Sequence, residues 1–96
     1  MLIKRDVLEA IRDGRIDLQF RRWTRPTVKP GGTLKTKVGL LRIGRIDDMR
    51  PEDVREVDAR RAGFADLAEF HRWLATMKAG PLFQRIEISF VGPAEG

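Results

Sequence analysis

Apolar residues recur along the chain at two spacings. Val7, Leu8 and Ile11 stand three and four apart, which predicts a short helix with Asp6 as its cap and Gly14 as a left-handed stop. From Arg15 to Arg21 the period falls to two, predicting a strand with Ile16, Leu18 and Phe20 on the core side. Arg22 to Gly32 holds Pro26, Pro30 and a Gly31-Gly32 pair, and reads as a loop closing in a tight turn. A β region follows from Thr33 to about Met49, its apolar positions being Leu34, Val38, Leu40, Leu41, Ile43 and Ile46. Gly39 and Gly44 interrupt it, and suit bulges or bends that curl a small sheet.

Helical signals return after residue 50. Pro51-Glu52-Asp53 is a suitable first turn for a short helix ended by Gly63. Asp66 and Glu69 form a capping-box pair opening another helix, with Leu67, Phe70, Trp73, Leu74 and Met77 along one side and Gly80-Pro81 as its stop. A long strand is predicted from Leu82 to Val91, Leu82, Ile86, Ile88 and Phe90 sharing a face. Residues 1–92 are expected to form one domain and 93–96 a frayed tail. Strands and helices do not alternate regularly, so the expected class is α+β: a small β-barrel flanked by about three short helices.

Composition narrows the possibilities. The chain has 96 residues, of which 42% are hydrophobic and 34% charged, enough for one small core under a well-solvated surface. No apolar run approaches the roughly 18 residues of a membrane span, and no long apolar stretch follows the N-terminal charges. A cytoplasmic protein with no membrane partner is expected. The absence of cysteine excludes disulfides, thiolate zinc sites and cysteine nucleophiles. The net charge of +5 is unevenly spread: residues 1–50 carry 13 Lys/Arg and 6 Asp/Glu, residues 51–96 carry 6 and 8. Between Leu18 and Ile46 stand Arg21, Arg22, Arg25, Lys29, Lys35, Lys37, Arg42 and Arg45, with no acid among them. A one-sign stretch builds a positive potential that suits polyphosphate.

Within that stretch Trp23 is flanked by guanidinium groups. An indole can stack on an unpaired base while Arg21, Arg22, Arg25, Lys29, Lys35 and Lys37 contact phosphate, with Gln19 and Thr24 adding polar contacts. The competing reading makes Trp23 a cap on the core and the cations a solvated face. Conventional catalytic sets are missing. His71 is the only histidine and Ser89 the only serine, neither in a nucleophile or metal motif, and Gly31-Gly32 lacks a phosphate-loop continuation. Asp47-Asp48 and Glu52-Asp53 are explained by a loop and a helix start. Trp73 sits with Phe70 and Leu74 and reads as core. No cofactor or metal is expected.

The run from Ile11 to Arg21 resembles the Gly-x-Lys-x-x-x-x-Arg stretch near the start of ASCH domains, a branch of the PUA-like superfamily. Lys29-Pro30-Gly31-Gly32 is similar to that family's Pro-Gly turn, and Val38-Gly39 with Ile43 and Ile46 to its central strands. Asp58 to Phe64 resembles a segment of many bacterial members, and the likeness spans about residues 2–92. It implies a small PUA-like barrel with flanking helices and a cleft associated with RNA or modified nucleosides. Some relatives hydrolyse acetylated cytidine with a lysine, a threonine and a glutamate. Those positions are Ile16, Gln19 and Ala62 in this chain, and only Arg21 of the strand motif is retained. Isoleucine and glutamine cannot form a base-activated nucleophile.

The expectation is therefore a non-catalytic module binding single-stranded RNA or a nucleotide-like ligand. Two alternatives stand beside it. One is a ribonuclease or amidohydrolase using Lys29 or Lys37 with Thr24 or Thr27. The other is a protein-interaction or dimerisation domain pairing through the edge of its long last strand.

Overall fold

The computed structural model describes residues 3–77 and 80–93. Helix α1 (Arg5–Arg12) leads into β1 (Leu18–Trp23), then β2 (Thr33–Thr36) and β3 (Gly39–Asp48). A 3-10 turn at Pro51–Asp53 precedes helices α2 (Glu56–Arg61) and α3 (Leu67–Ala75), and β4 (Leu82–Gly92) ends the fold. All strand pairings are antiparallel, in the order β1-β4-β3-β2. The sheet curls into half a barrel and stays open, with β1 and β2 as its edges. The fold is thus α+β, with three helices on a curled sheet. No helix among the described residues is long and apolar enough to cross a membrane.

Two apolar clusters hold the layers together. On one face Leu8, Ala10 and Ile11 of α1 meet Leu41, Ile43, Ile86 and Ile88. On the other, Leu18, Phe20 and Phe83 meet Val54, Ala59, Ala62 and Phe70. Phe20 lies with its ring centroid 5.2 Å from that of Phe70 and 5.7 Å from that of Phe83, so aromatic packing anchors α3 to the β1–β4 pair. Because helices cover both faces of β1, burial along it does not alternate. Leu18, Gln19 and Phe20 are all buried, where the two-residue period assigns only Leu18 and Phe20 to the core.

Several local expectations are corrected. The strand continues through Arg22 and Trp23, because Phe83 and Leu82 extend the ladder opposite them; the loop starts only at Thr24. The β region from Thr33 is a hairpin rather than a single bent strand. It turns at Lys37-Val38, and Gly39 takes φ +139°, which a side chain rarely adopts. The break near Gly44 is a register shift between Ile43 and Ile46. Pro51 starts a 3-10 turn and not α2, since buried Val54 is extended and α2 opens after Arg55. Helix α1 begins two residues earlier than expected, after Lys4, and the Asp6 carboxylate accepts from the Val7 N–H within its first turn.

Asp66 caps α3 by accepting from the Glu69 N–H at 2.8 Å, as its spacing predicts. That helix ends at Ala75, before the expected Gly80-Pro81 stop. The expected tail falls mostly at 94–96, outside the described residues. β4 lies between β1 and β3 in the sheet, with β1 paired only along Leu82–Glu87 and β3 alone paired along Ser89–Gly92, so the open edge expected of the whole last strand is confined to its C-terminal end.

Candidate functional site

A cavity of about 790 Å³ runs along the open edge of β1. Its floor includes Gln19, Phe20 and Arg21. One wall is α1 with the residues just before it, including Lys4, Asp6 and Val7; the other is α3, through Glu69 and Trp73. Ile16, Ala62, Gly63 and Phe64 close the end between β1 and α2. The cleft exists because β1 has no strand neighbour on its outer side, while α1 and α3 pack on opposite faces of the sheet and overhang that edge.

Gln19 is only 5% exposed. Its amide Nε2 donates to the Leu18 carbonyl at 2.9 Å, while its Oε1 accepts no hydrogen bond among the described residues. One amide N–H and the carbonyl oxygen are therefore uncommitted in a protected wall. Arg21 is half-buried, and its Nη1 donates to the Phe20 carbonyl at 2.8 Å. Burial lowers its pKa below the usual arginine value, yet a guanidinium keeps its charge in proteins. Around this pair the lining is balanced, with Lys4 and Arg15 beside Asp6, Glu9 and Glu69. Phe64 and Trp73 form an aromatic flank, their ring centroids 5.2 Å apart.

The other sequence candidates are distributed elsewhere. Trp23 ends β1 half-buried against the α1-side cluster, and its Nε1 donates to the Gln84 Oε1 at 2.8 Å. It is held, not displayed on a flexible loop. Arg22 projects from the strand's other face, and its buried Nε has no hydrogen-bond partner among the described residues. Thr24, Arg25 and Lys29 are exposed along the loop after β1. Lys35 and Lys37 flank a smaller cavity of about 220 Å³ between the β2–β3 hairpin and α1. The basic residues therefore do not converge on one concave face. Arg21 alone of the named cations lines the β1 cleft.

Little resembles a catalytic centre. His71 is exposed with its ring 5.1 Å from Phe70, and Ser89 is exposed on β4. No side-chain hydrogen bond joins Thr24 or Thr27 to Lys29 or Lys37 among the described residues. No group of potential metal ligands gathers there either. The acids considered for a cation are engaged: Asp47 with Arg45, Asp48 with Gln84, Glu52 and Asp53 with Arg50.

Residues missed in the sequence complete the cleft. Phe64, Glu69 and Trp73 join Asp6 and Lys4 at it, although spacing explains Asp6 and Glu69 as helix-start residues and Trp73 as core. No local signal links α1 to α3. Ile16, Gln19, Arg21 and Ala62 all line this one cavity. No protein-family model matches the chain, and no curated protein or solved structure matches it.

Proposed function

We propose that the chain is a non-catalytic binding module that accepts an unpaired nucleotide of single-stranded RNA, or a nucleotide-like ligand, in the β1 cleft. The observation that carries this reading is Gln19 beside Arg21 on the cleft floor. A buried carboxamide with a donor and an acceptor free can pair with the polar edge of a base, and the neighbouring guanidinium suits a phosphate oxygen. Phe64 and Trp73 give a base an apolar flank, and the volume lies in the range of small-ligand sites. The resemblance to ASCH domains of the PUA-like superfamily supports the same cleft, since its positions converge there. Ile16, Gln19 and Ala62 supply neither base nor nucleophile, which favours binding over hydrolysis.

Titration of the chain's tryptophan fluorescence with nucleoside monophosphates and short RNA oligomers tests this, because Trp73 lines the cleft. Saturable quenching is expected, and Gln19→Ala and Arg21→Ala should each weaken binding about tenfold, the factor for one charge-assisted or buried hydrogen bond. Absence of binding up to about 1 mM, or affinity indifferent to both substitutions, refutes the assignment. Turnover of acetylated cytidine would return the hydrolase reading.

A further inference from the structure

We propose that the smaller cavity between α1 and the β2–β3 hairpin receives a further phosphate of the same strand, so that the ligand is an oligonucleotide and not a lone nucleotide. This rests on the reading of the β1 cleft given above. The hairpin pocket is lined by Arg5 and Leu8 from α1, and by Leu34, Lys35, Thr36 and Lys37 from the hairpin. Ile3, just ahead of α1, lines both cavities.

The two cavities differ in charge. The β1 cleft mixes Lys4, Arg15 and Arg21 with Asp6, Glu9 and Glu69, which suits a largely neutral base and sugar. The hairpin pocket brings three cations from two elements together and has no carboxylate in its lining. Lys35 and Lys37 form no ion pair among the described residues, and Arg5 meets Glu9 only at 3.6 Å with both side chains exposed. Such a weak exposed pair is readily exchanged for a phosphate. Leu8 and Leu34 give the pocket an apolar wall. The Thr36 hydroxyl donates to the Gly39 carbonyl at 2.7 Å, tying the turn that carries Lys37.

The test compares a nucleoside 5′-monophosphate with a trinucleotide, on the wild type and on the doubly substituted Lys35→Gln, Lys37→Gln chain. Both lysines are exposed, so the variant should fold. The wild type should bind the trinucleotide about tenfold or more tightly than the monophosphate, as one added charge-assisted hydrogen bond implies. The variant should bind the monophosphate like the wild type and show no gain with length. Its log–log salt slope for the trinucleotide should flatten by about 0.7 for each phosphate that the lysines no longer neutralise. A gain with length that survives the double substitution, or no gain in the wild type, overturns the hairpin pocket and leaves the cleft reading standing. Failure of the monophosphate and the trinucleotide alike removes both.

Discussion

Trp23 and Gln84 are joined by a 2.8 Å hydrogen bond across the β1–β4 pair, the indole N–H donating to the amide oxygen. Gln84 in turn donates its Nε2 to the Asp48 carboxylate at 2.7 Å, so one buried amide links three adjacent strands. Its two ends match its two neighbours, an obligate donor on one side and an obligate acceptor on the other. The bond also fixes the indole, which explains why a tryptophan in an arginine-rich segment packs against the core.

Gln84→Leu keeps the volume and removes both bonds, leaving the Trp23 N–H and Asp48 without this partner. Urea denaturation should show a loss of about 1–3 kcal/mol, the cost of stranding a buried polar group. A loss below about 0.5 kcal/mol, the scatter of neutral surface changes, would mean that the three-strand link contributes nothing.

A second tie joins β4 to α2. Arg85 donates Nε to Asp58 at 3.1 Å and Nη1 to Glu87 at 3.1 Å, and Asp47 lies 3.7 Å away. The Arg85 and Asp58 side chains are each only 15% exposed. The hydrogen bond to Asp58, then that to Glu87, raises the Arg85 pKa further above its ordinary value against the effect of burial. Asp58→Asn should therefore destabilise the chain by about 1–3 kcal/mol, below the full cost for a wholly buried pair because Glu87 and Asp47 still neutralise the guanidinium. Glu87→Gln, altering a more exposed partner, should cost less in the same melt.

The hairpin turn makes a steric prediction. A Cβ on Gly39 would lie 2.6 Å from the Gly92 carbonyl oxygen and 2.7 Å from Phe90 Cε1, on a backbone at φ +139°. Gly39→Ala should cost more than about 2 kcal/mol through strain and collision together. Gly31→Ala meets nothing within 4 Å at φ +79° and should cost about 1 kcal/mol, the conformational penalty alone. Equal losses would show that the contact with β4 does not constrain the turn.

At the C-terminal end of α1, the Arg12 side-chain hydrogen bond holds Asp13 below the usual carboxylate range, and Arg15 adds to this. A carboxyl whose folded pKa is lowered stabilises the fold above its unfolded pKa, and that contribution disappears as pH falls through the folded value. Carboxyl NMR of the native chain should place the Asp13 midpoint below the ordinary aspartate value. Arg12→Gln should move it upward, and an unchanged midpoint would reject the pairing.

The short-range elements were legible because their causes are local. Three- and four-residue spacing marked α1 and α3, alternation marked the start of β1, and Asp66 with Glu69 marked the opening of α3. Gln19 was misread for a non-local reason. Alternation assigns it to the open face, and only the packing of α1 over that face buries it. The extension of β1 through Trp23 was hidden in the same way, since the ladder partners Leu82 and Phe83 lie some sixty residues downstream.

By itself the sequence determined the order of the main helices and strands, which residues are apolar, and where positive charge accumulates, because each depends on composition or on neighbours within a few positions. Only the tertiary structure decided that β4 inserts between β1 and β3, that β1 is left as an edge, and that α1 and α3 flank that edge from opposite faces. Strand pairing and helix docking depend on which distant apolar faces bury one another, and periodicity carries no record of that choice. The same long-range pairing separated the clustered cations of the sequence between a cleft, a loop and a hairpin.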